Sequence, residues 1–346
     1  TIRQVRLGSW LPFAFSAMVI LALFCWAGAG RDTTDVAVTS MLALGFAASV
    51  PLVFGSLAGV ICERSGVINI AIEGQLLFGA FLAAVVASIA ANFGAGEGWA
   101  AFIGLLAAPI AGALVGAALA LFAVRYWVDQ IVVGVVLNVL VIGLTSFLFS
   151  SVLSDNRSLN QPLSLPDIPI PVLSQIPILG PVLFDHNLLT YLMMVTVAVL
   201  HVLVFRSRWG LRMRSVGEHP QAADTVGIRV NVTRVRNVII GGAIAGLGGA
   251  FFTVAAGLAF GKEMTGGKGF IALAAMILGR WSPKGALAAG LLFGLADAFQ
   301  QQLSIMGSDI PPEFVLMTPY LATIFAVAGI VGRSRPPAAE GTPYKK

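Results

Sequence analysis

The sequence predicts an all-α polytopic membrane protein with about ten transmembrane helices and a short cytoplasmic helix between two of them. Three observations lead there. Of the 346 residues, 58% are apolar and 11% charged, at a mean hydropathy of +0.90, whereas a soluble domain carries about 25% charged residues. Apolar runs recur at the length a helix needs to cross hydrocarbon, roughly 20 residues for about 30 Å. The basic residues fall unevenly on the loops between those runs, as they do in membrane proteins of fixed orientation.

The runs lie at about 10–29, 36–61, 68–91, 99–124, 129–151, 187–205, 236–259, 269–281, 285–303 and 313–332. The eighth is short and the ninth borders on Asp297, which leaves eight or nine as alternative counts. Arg3 and Arg6 precede the first run and no small-residue cleavage site follows it, so it reads as an anchor rather than a signal peptide. With the N-terminus inside and ten spans, only Arg31, Arg157, Lys262 and Lys268 of the 21 basic residues fall outside. Both termini are then cytoplasmic. The pI of 9.6 raises nucleic acid as a partner. The basic residues are scattered over short loops instead of forming a stripe with aromatics, so topology explains them and no nucleic-acid partner is expected. Cys25 and Cys62 sit in or beside apolar runs and read as buried thiols.

Two long segments are not apolar. The first, 152–186, is external and holds Pro162, Pro166, Pro169, Pro171, Pro177 and Pro181, which favours a stiff extended loop over a regular helix. It either covers a pore mouth or partner site, or is a tethered surface loop. The second, 206–236, is internal and rich in arginine. Within it Glu218 to Gly227 reads as a short helix, with Pro220 in the first turn and Gly227 as the stop. Ala222, Ala223 and Val226 give it a small apolar face. That face either docks on another protein or lies on the anionic membrane surface beside the arginines.

The spans are rich in small residues. Gly242, Gly246 and Ala250 recur four apart, a surface for close helix packing. No phosphate-binding G-x-x-x-x-G-K-[ST] occurs, nor H-E-x-x-H or CxxC, and His186, His201 and His219 lie far apart. The chain is therefore not expected to be an enzyme.

Polar residues inside apolar runs carry the remaining information, because an intramembrane carboxylate or amide marks either a path or a packing bond. Glu73 lies a few residues into a span, one helical turn after Asn69, with Gln75 close by. On a helical projection Asn69 and Glu73 share a face, and Gln75 is displaced by about 200 degrees. Glycines at 66 and 74 bracket the group and permit an irregular helix start. Asn138 sits at mid-span and should face the protein interior, and Asp297 reads as a boundary group. For Glu73 both a structural hydrogen bond and a place on a permeation path stay open.

Four blocks then carry a resemblance: "ERSGVINIAIEGQLLFGAF" from Glu63, "DQIVVGVVLNVLVIGLTSFL" from Asp129, "FRSRWGLRMRSVGEHPQAADTVGI" from Phe205 and "GKGFIALAAMILGRWSPKGALAAGLLFG" from Gly267. In this order, and with the terminal "PAAEGTPY", they resemble the permease subunits of bacterial ABC importers for simple sugars, branched-chain amino acids and, most closely, nucleosides. The nucleoside-type members work with a lipoprotein that binds purine nucleosides. The resemblance implies a single permease domain over 1–346 in the bacterial inner membrane, forming half of a translocation path. It implies as partners a second homologous permease, a cytoplasmic ABC ATPase and an extracytoplasmic binding lipoprotein. No cofactor is then held by this chain, and ATP-Mg binds the ATPase. By the same resemblance Gly217, Glu218, Pro220, Ala222, Ala223 and Gly227 match the cytoplasmic coupling segment that contacts the ATPase. Asn69, Glu73, Gly74 and Gln75 match a block close to the path, which Asn138 joins as a further candidate. An ion-coupled secondary transporter is the rival of another class, but Glu73 and Asp297 lie near span ends, away from the midplane where coupling groups usually sit.

Overall fold

A computed structural model describes residues 38–305 and 335–345, with Met18 and Met317. Apart from those two methionines, the expected first and tenth spans lie outside the described residues, as do Cys25, Arg3, Arg6 and Arg31. The helix α1 (Val38–Glu63) is followed by a non-helical stretch and α2 (Ile72–Asn92). Next, α3 (Glu97–Ala120) runs on through a π-turn at Leu121–Arg125, and α4 (Gln130–Leu148) through another at Phe149–Leu153. Asp129 starts α4 by accepting the amides of Ile131 and Val132 at 2.9 and 3.1 Å, which satisfies donors a helix start leaves free.

The outer loop follows. Its prolines restrict regular structure to two short 3₁₀ turns, the five-residue α5 (Leu179–Leu183) and a ribbon of two antiparallel strands, β1 (Asp167–Pro169) and β2 (Asp185–Asn187). The loop is tied down: the Leu165 amide donates to the Val254 carbonyl at 2.7 Å, and Asn160 exchanges hydrogen bonds with the backbone of Phe260. Then come α6 (Leu188–Arg206), α7 (Arg208–Glu218), α8 (Pro220–Thr225), α9 (Val230–Gly249), α10 (Lys268–Leu278) and α11 (Pro283–Ile305).

Six helices among the described residues are long and apolar enough to cross a membrane: 39–63, 72–92, 98–125, 130–153, 188–206 and 230–252. The expectation of about ten is corrected on this point. The run at 269–281 is apolar but forms only the 11-residue α10, about 16 Å long at 1.5 Å per residue. The run at 285–303 becomes α11, which has 23 residues but carries Lys284, Asp297 and Gln300 to Gln302.

The expectation of a distinct short cytoplasmic coupling helix over Glu218 to Gly227 is corrected as well. Segment 206–236 folds as α7 and α8 back to back. Ser207 caps α7 by accepting the Gly210 amide at 3.0 Å. Gly210, Met213, Val216 and Gly217 turn inward and seat α7 on the chain's own helices. The arginines between these residues mask that inward stripe in the sequence.

The spans alternate in direction, so Arg64, Arg125, Arg206, Arg208, Arg229, Arg280 and Lys284 collect at one end of the bundle and Arg157 and Lys262 at the other. The bias makes the arginine-rich end cytoplasmic. At the centre α9 packs on α1, α2 and α3. Its small residues permit this: a Cβ added at Gly246 would overlap the Ala108 carbonyl, and one at Gly112 the Gly242 carbonyl.

Candidate functional site

The chain does not run straight from α1 into α2. Gly66 turns it at φ +86, and residues 67–69 are irregular before α2 begins at Ile72. Backbone freed of helix bonds must find other partners at membrane depth. Of the four polar residues singled out in the sequence Asn138 supplies them, and Gln130 Oε1 accepts the Ile68 amide at 2.7 Å. Asn138, on α4, accepts the Gly74 amide at 2.8 Å through Oδ1 and donates to the Ile70 carbonyl at 2.9 Å through Nδ2. One side chain thus closes both backbone groups across the start of α2. Asn69 donates through Nδ2 to Gln75 Oε1 at 3.0 Å, and Gln75 returns a longer bond of 3.4 Å.

Glu73 points elsewhere. Its Oε1 accepts the Thr265 hydroxyl at 2.6 Å and the Gly267 amide at 2.8 Å, and its Oε2 accepts the Gly269 amide at 2.6 Å. The last two donors belong to the first turn of α10, which starts after Gly267 in the left-handed region at φ +80. A helix start concentrates free N–H groups and partial positive charge. The carboxylate therefore sits where an anion is most stabilised. All four residues are buried, Glu73 at 5% exposure and Asn69 and Gln75 at 0%. The shared face expected for Asn69 and Glu73 is not formed, because α2 begins at Ile72 and Asn69 lies outside its helical projection.

Around this seam the helix ends are fixed by residues that the sequence did not single out and by Asp297, which it marked as a boundary group. Glu63 accepts the Trp281 indole N–H at 2.5 Å, and Arg64 donates to the Trp281 carbonyl at 2.9 Å. Lys268 and Asp297 form an ion pair at 2.7 Å that joins α10 to α11. The glycine cluster before Lys268 was a readable sign of a break; the carboxylate that answers it, 192 residues earlier than Thr265, was not. Among the described residues no group of His, Cys, Asp and Glu is placed to hold a metal ion.

On the cytoplasmic face, the residues matched to the coupling segment divide. Gly217 is buried so closely that a Cβ would overlap the Arg64 carbonyl. Ala223 is buried at 3% against Val216 and Val230, with Ile228 and Tyr344 packed around them. Glu218, Ala222 and Val226 are exposed, Val226 at 74%. Pro220 opens α8, and Gly227 ends it at φ +83 with open space around it. The apolar face expected of Ala222, Ala223 and Val226 is split: Ala223 belongs to the chain's own core.

The segment 335–345 runs across this face. The Ala339 amide donates to the Gly217 carbonyl at 2.9 Å, and the Ala338 amide to a Glu218 carboxylate oxygen at 3.2 Å. Arg234 donates to the Thr342 carbonyl at 2.7 Å. Burial pushes the Glu340 carboxyl above the usual carboxylate range, with a hydrogen bond to the Glu63 side chain acting the other way. Burial and the neighbouring Arg214 lower Arg64, opposed by Glu218.

A bundle of membrane-crossing helices broken at a buried polar seam, with a structured cytoplasmic face, defines a polytopic transport subunit. The chain belongs to the family described as "Branched-chain amino acid transport system / permease component", which it matches over residues 41–328. It is thus a permease subunit of an ABC importer, a multi-pass protein of the bacterial inner membrane, and not itself a catalyst. Its relatives include the guanosine ABC transporter permease protein NupQ of Bacillus subtilis, 40% identical over 306 residues, which cover 86% of this chain and 94% of that one. The nucleoside ABC transporter permease protein NupC of Lactococcus lactis is 36% identical over 324 residues, 91% and 98% of the two chains. The putative glucose ABC transporter permease protein TsgC13 of Haloferax volcanii is 30% identical over 309 residues, 83% and 90%. No solved structure matches the chain. Membership implies companion subunits: a second permease, an ATPase and a substrate-binding protein.

Proposed function

We propose that this permease imports nucleosides, forming half of the translocation path beside a second, homologous permease in a heterodimer. An extracytoplasmic lipoprotein delivers the nucleoside, and a cytoplasmic ATPase holding ATP-Mg drives the cycle. The observation that carries the substrate class is the near full-length similarity to two permeases named for guanosine and nucleosides, at 40% and 36% identity. A sugar is the second reading, favoured by the relative named for glucose at 30% identity.

The path runs beside the break that Glu73 holds. Broken helices are where transporters place cargo and gates, and Glu73 fixes one such break by binding the start of α10. Asn69, Gln75 and Asn138 are positioning residues in this scheme: they hold the start of α2 and do not touch cargo. The ATPase contacts the exposed part of the coupling segment, Glu218, Ala222, Val226 and Gly227, while Gly217, Pro220 and Ala223 set its shape.

The test is uptake of radiolabelled guanosine by cells expressing the chain with its companion subunits. Competition by unlabelled nucleosides, and not by glucose or leucine, is expected. Competition by glucose alone would replace the nucleoside reading with the sugar one.

A further inference from the structure

On the cytoplasmic face, outside the polar seam, a cavity of about 430 Å³ opens between α7, the end of α8 and the first turns of α9. Arg212, Arg229 and Arg236 line it, with Thr233, Trp209 and Asn237. No acidic residue lines it, and among the described residues no carboxylate forms an ion pair with any of the three arginines. Asn237 is fully buried; its Oδ1 accepts the Trp209 indole N–H at 3.0 Å, and its Nδ2 has no hydrogen-bond partner among the described residues. Three arginines around one hollow, with no carboxylate paired to them among the described residues, call for an anion.

The position of the hollow narrows the anion to one class. Asn237 is seven residues into α9, about 10 Å beyond its start, so the cavity reaches from the cytoplasmic surface into the apolar span 230–252. A second hollow of about 510 Å³ lies along the same helix, lined by Val232, Val235, Ile239 and Ile240 with Asn231 at its edge, and shares Val232 and Arg236 with the first. A soluble anion would fill only the charged half. A phospholipid has a phosphate for the arginines and a hydrocarbon chain for the valines and isoleucines, in the order in which the two hollows follow the membrane normal. The inner leaflet of a bacterial membrane offers such anionic headgroups to basic pockets at this level.

We propose that the paired cavity is a binding site for one anionic phospholipid of the cytoplasmic leaflet. Its phosphate lies among Arg212, Arg229 and Arg236, and an acyl chain runs along Val235 and Ile239. Guanidinium groups suit this role because they meet phosphate oxygens through paired N–H donors. Val226 and Gly227 form part of the rim, so the lipid borders the surface proposed for the ATPase, although the site itself rests on none of that reading.

The experiment is lipid retention by the purified full-length chain, read by native mass spectrometry and by thermal midpoint. Phosphatidylglycerol and phosphatidylcholine are supplied in turn. One retained phosphatidylglycerol per chain is expected, with a raised midpoint, and neither effect from phosphatidylcholine. The triple variant R212Q/R229Q/R236Q should bind phosphatidylglycerol roughly 100-fold more weakly. Its folding is checked by its midpoint in lipid-free detergent. The single variant R229Q provides a milder form in which binding should fall and the lipid-free midpoint should stay. Equal retention of the two lipids, or unchanged phosphatidylglycerol retention in both variants, overturns the proposal. Stabilisation by inorganic phosphate or glycerol phosphate equal to that by the lipid also overturns it and assigns the site to a soluble anion. Displacement of the bound lipid by added ATPase would make the hollow part of the protein contact, which again overturns a resident lipid.

Discussion

The carboxylate of Glu73 accepts the amide of Gly269 at 2.6 Å, and Gly269 lies so near that an added Cβ would overlap the Glu73 backbone. The glycine therefore sets the distance at which the carboxylate can serve α10. Gly269→Ala is expected to push α10 away from α2 and destabilise the protein by about 1–3 kcal/mol. Gly143, exposed on α4 with nothing within 4 Å, is the control: its alanine variant should stay within about 0.5 kcal/mol. Thermal midpoints of the two purified variants compare them. Equal midpoints would remove the close packing from the account.

Glu73→Gln keeps the size of the side chain but turns one acceptor into a donor, facing N–H groups or the Thr265 hydroxyl. One buried bond then becomes a clash of donors, a loss of about 1–3 kcal/mol. Initial uptake, normalised to the permease present in the membrane, should fall several-fold. Unchanged uptake per molecule with a lowered midpoint would confine Glu73 to stability.

The two apolar positions of the coupling segment should behave differently. Val226→Arg alters an exposed residue, so the permease should reach its normal level while the ATPase co-purifies poorly. Ala223→Arg drives a charge into the contact with Val216 and Val230, and burying an unpaired charge should reduce the folded permease itself. Quantitative blotting of both subunits after affinity purification separates the cases. Normal ATPase recovery with Val226→Arg would move the contact elsewhere.

The docking of residues 338–342 should depend on pH. Burial raises the Glu340 carboxyl, so the docked state holds its proton more firmly than a released one. The stabilisation is complete below the ordinary carboxylate range and is lost as pH rises through the elevated value of the docked group. Arg234, Arg64 and Glu218 also face this segment, and Glu63 shares a hydrogen bond with Glu340, so the window belongs to the two carboxyls together. Limited proteolysis after Ala338 should therefore quicken as pH rises from about 5, and Glu340→Gln should make it slow and flat. A wild-type rate independent of pH would dissociate the docking from Glu340.

The sequence announced the spans because length and apolarity are local properties, and α2, α4 and α6 fall where the runs lie. It also marked Glu73 and Asn138 as residues needing partners inside the protein. It did not reveal the partners: Glu73 reaches Gly269, and Asn138 reaches Ile70 and Gly74, across gaps that only packing closes. The 269–281 run misled for a related reason. Its composition is that of a span, but the helix it forms stops at Leu278, before Arg280 and Trp281 turn the chain at positive φ. Ala223 looked like part of a docking face, since periodicity within six residues cannot tell a partner protein from a tail that folds back.

That tail has a consequence for biosynthesis. Residues 338–344 leave the ribosome after every helix of the described bundle is already in the membrane, yet they fasten Gly217, Glu218 and Arg234, which were made more than 100 residues earlier. The cytoplasmic face is thus unfinished throughout insertion and acquires its final shape only once translation has passed Tyr344. A surface that depends on residues 338–342 therefore takes its final shape only after they have been made.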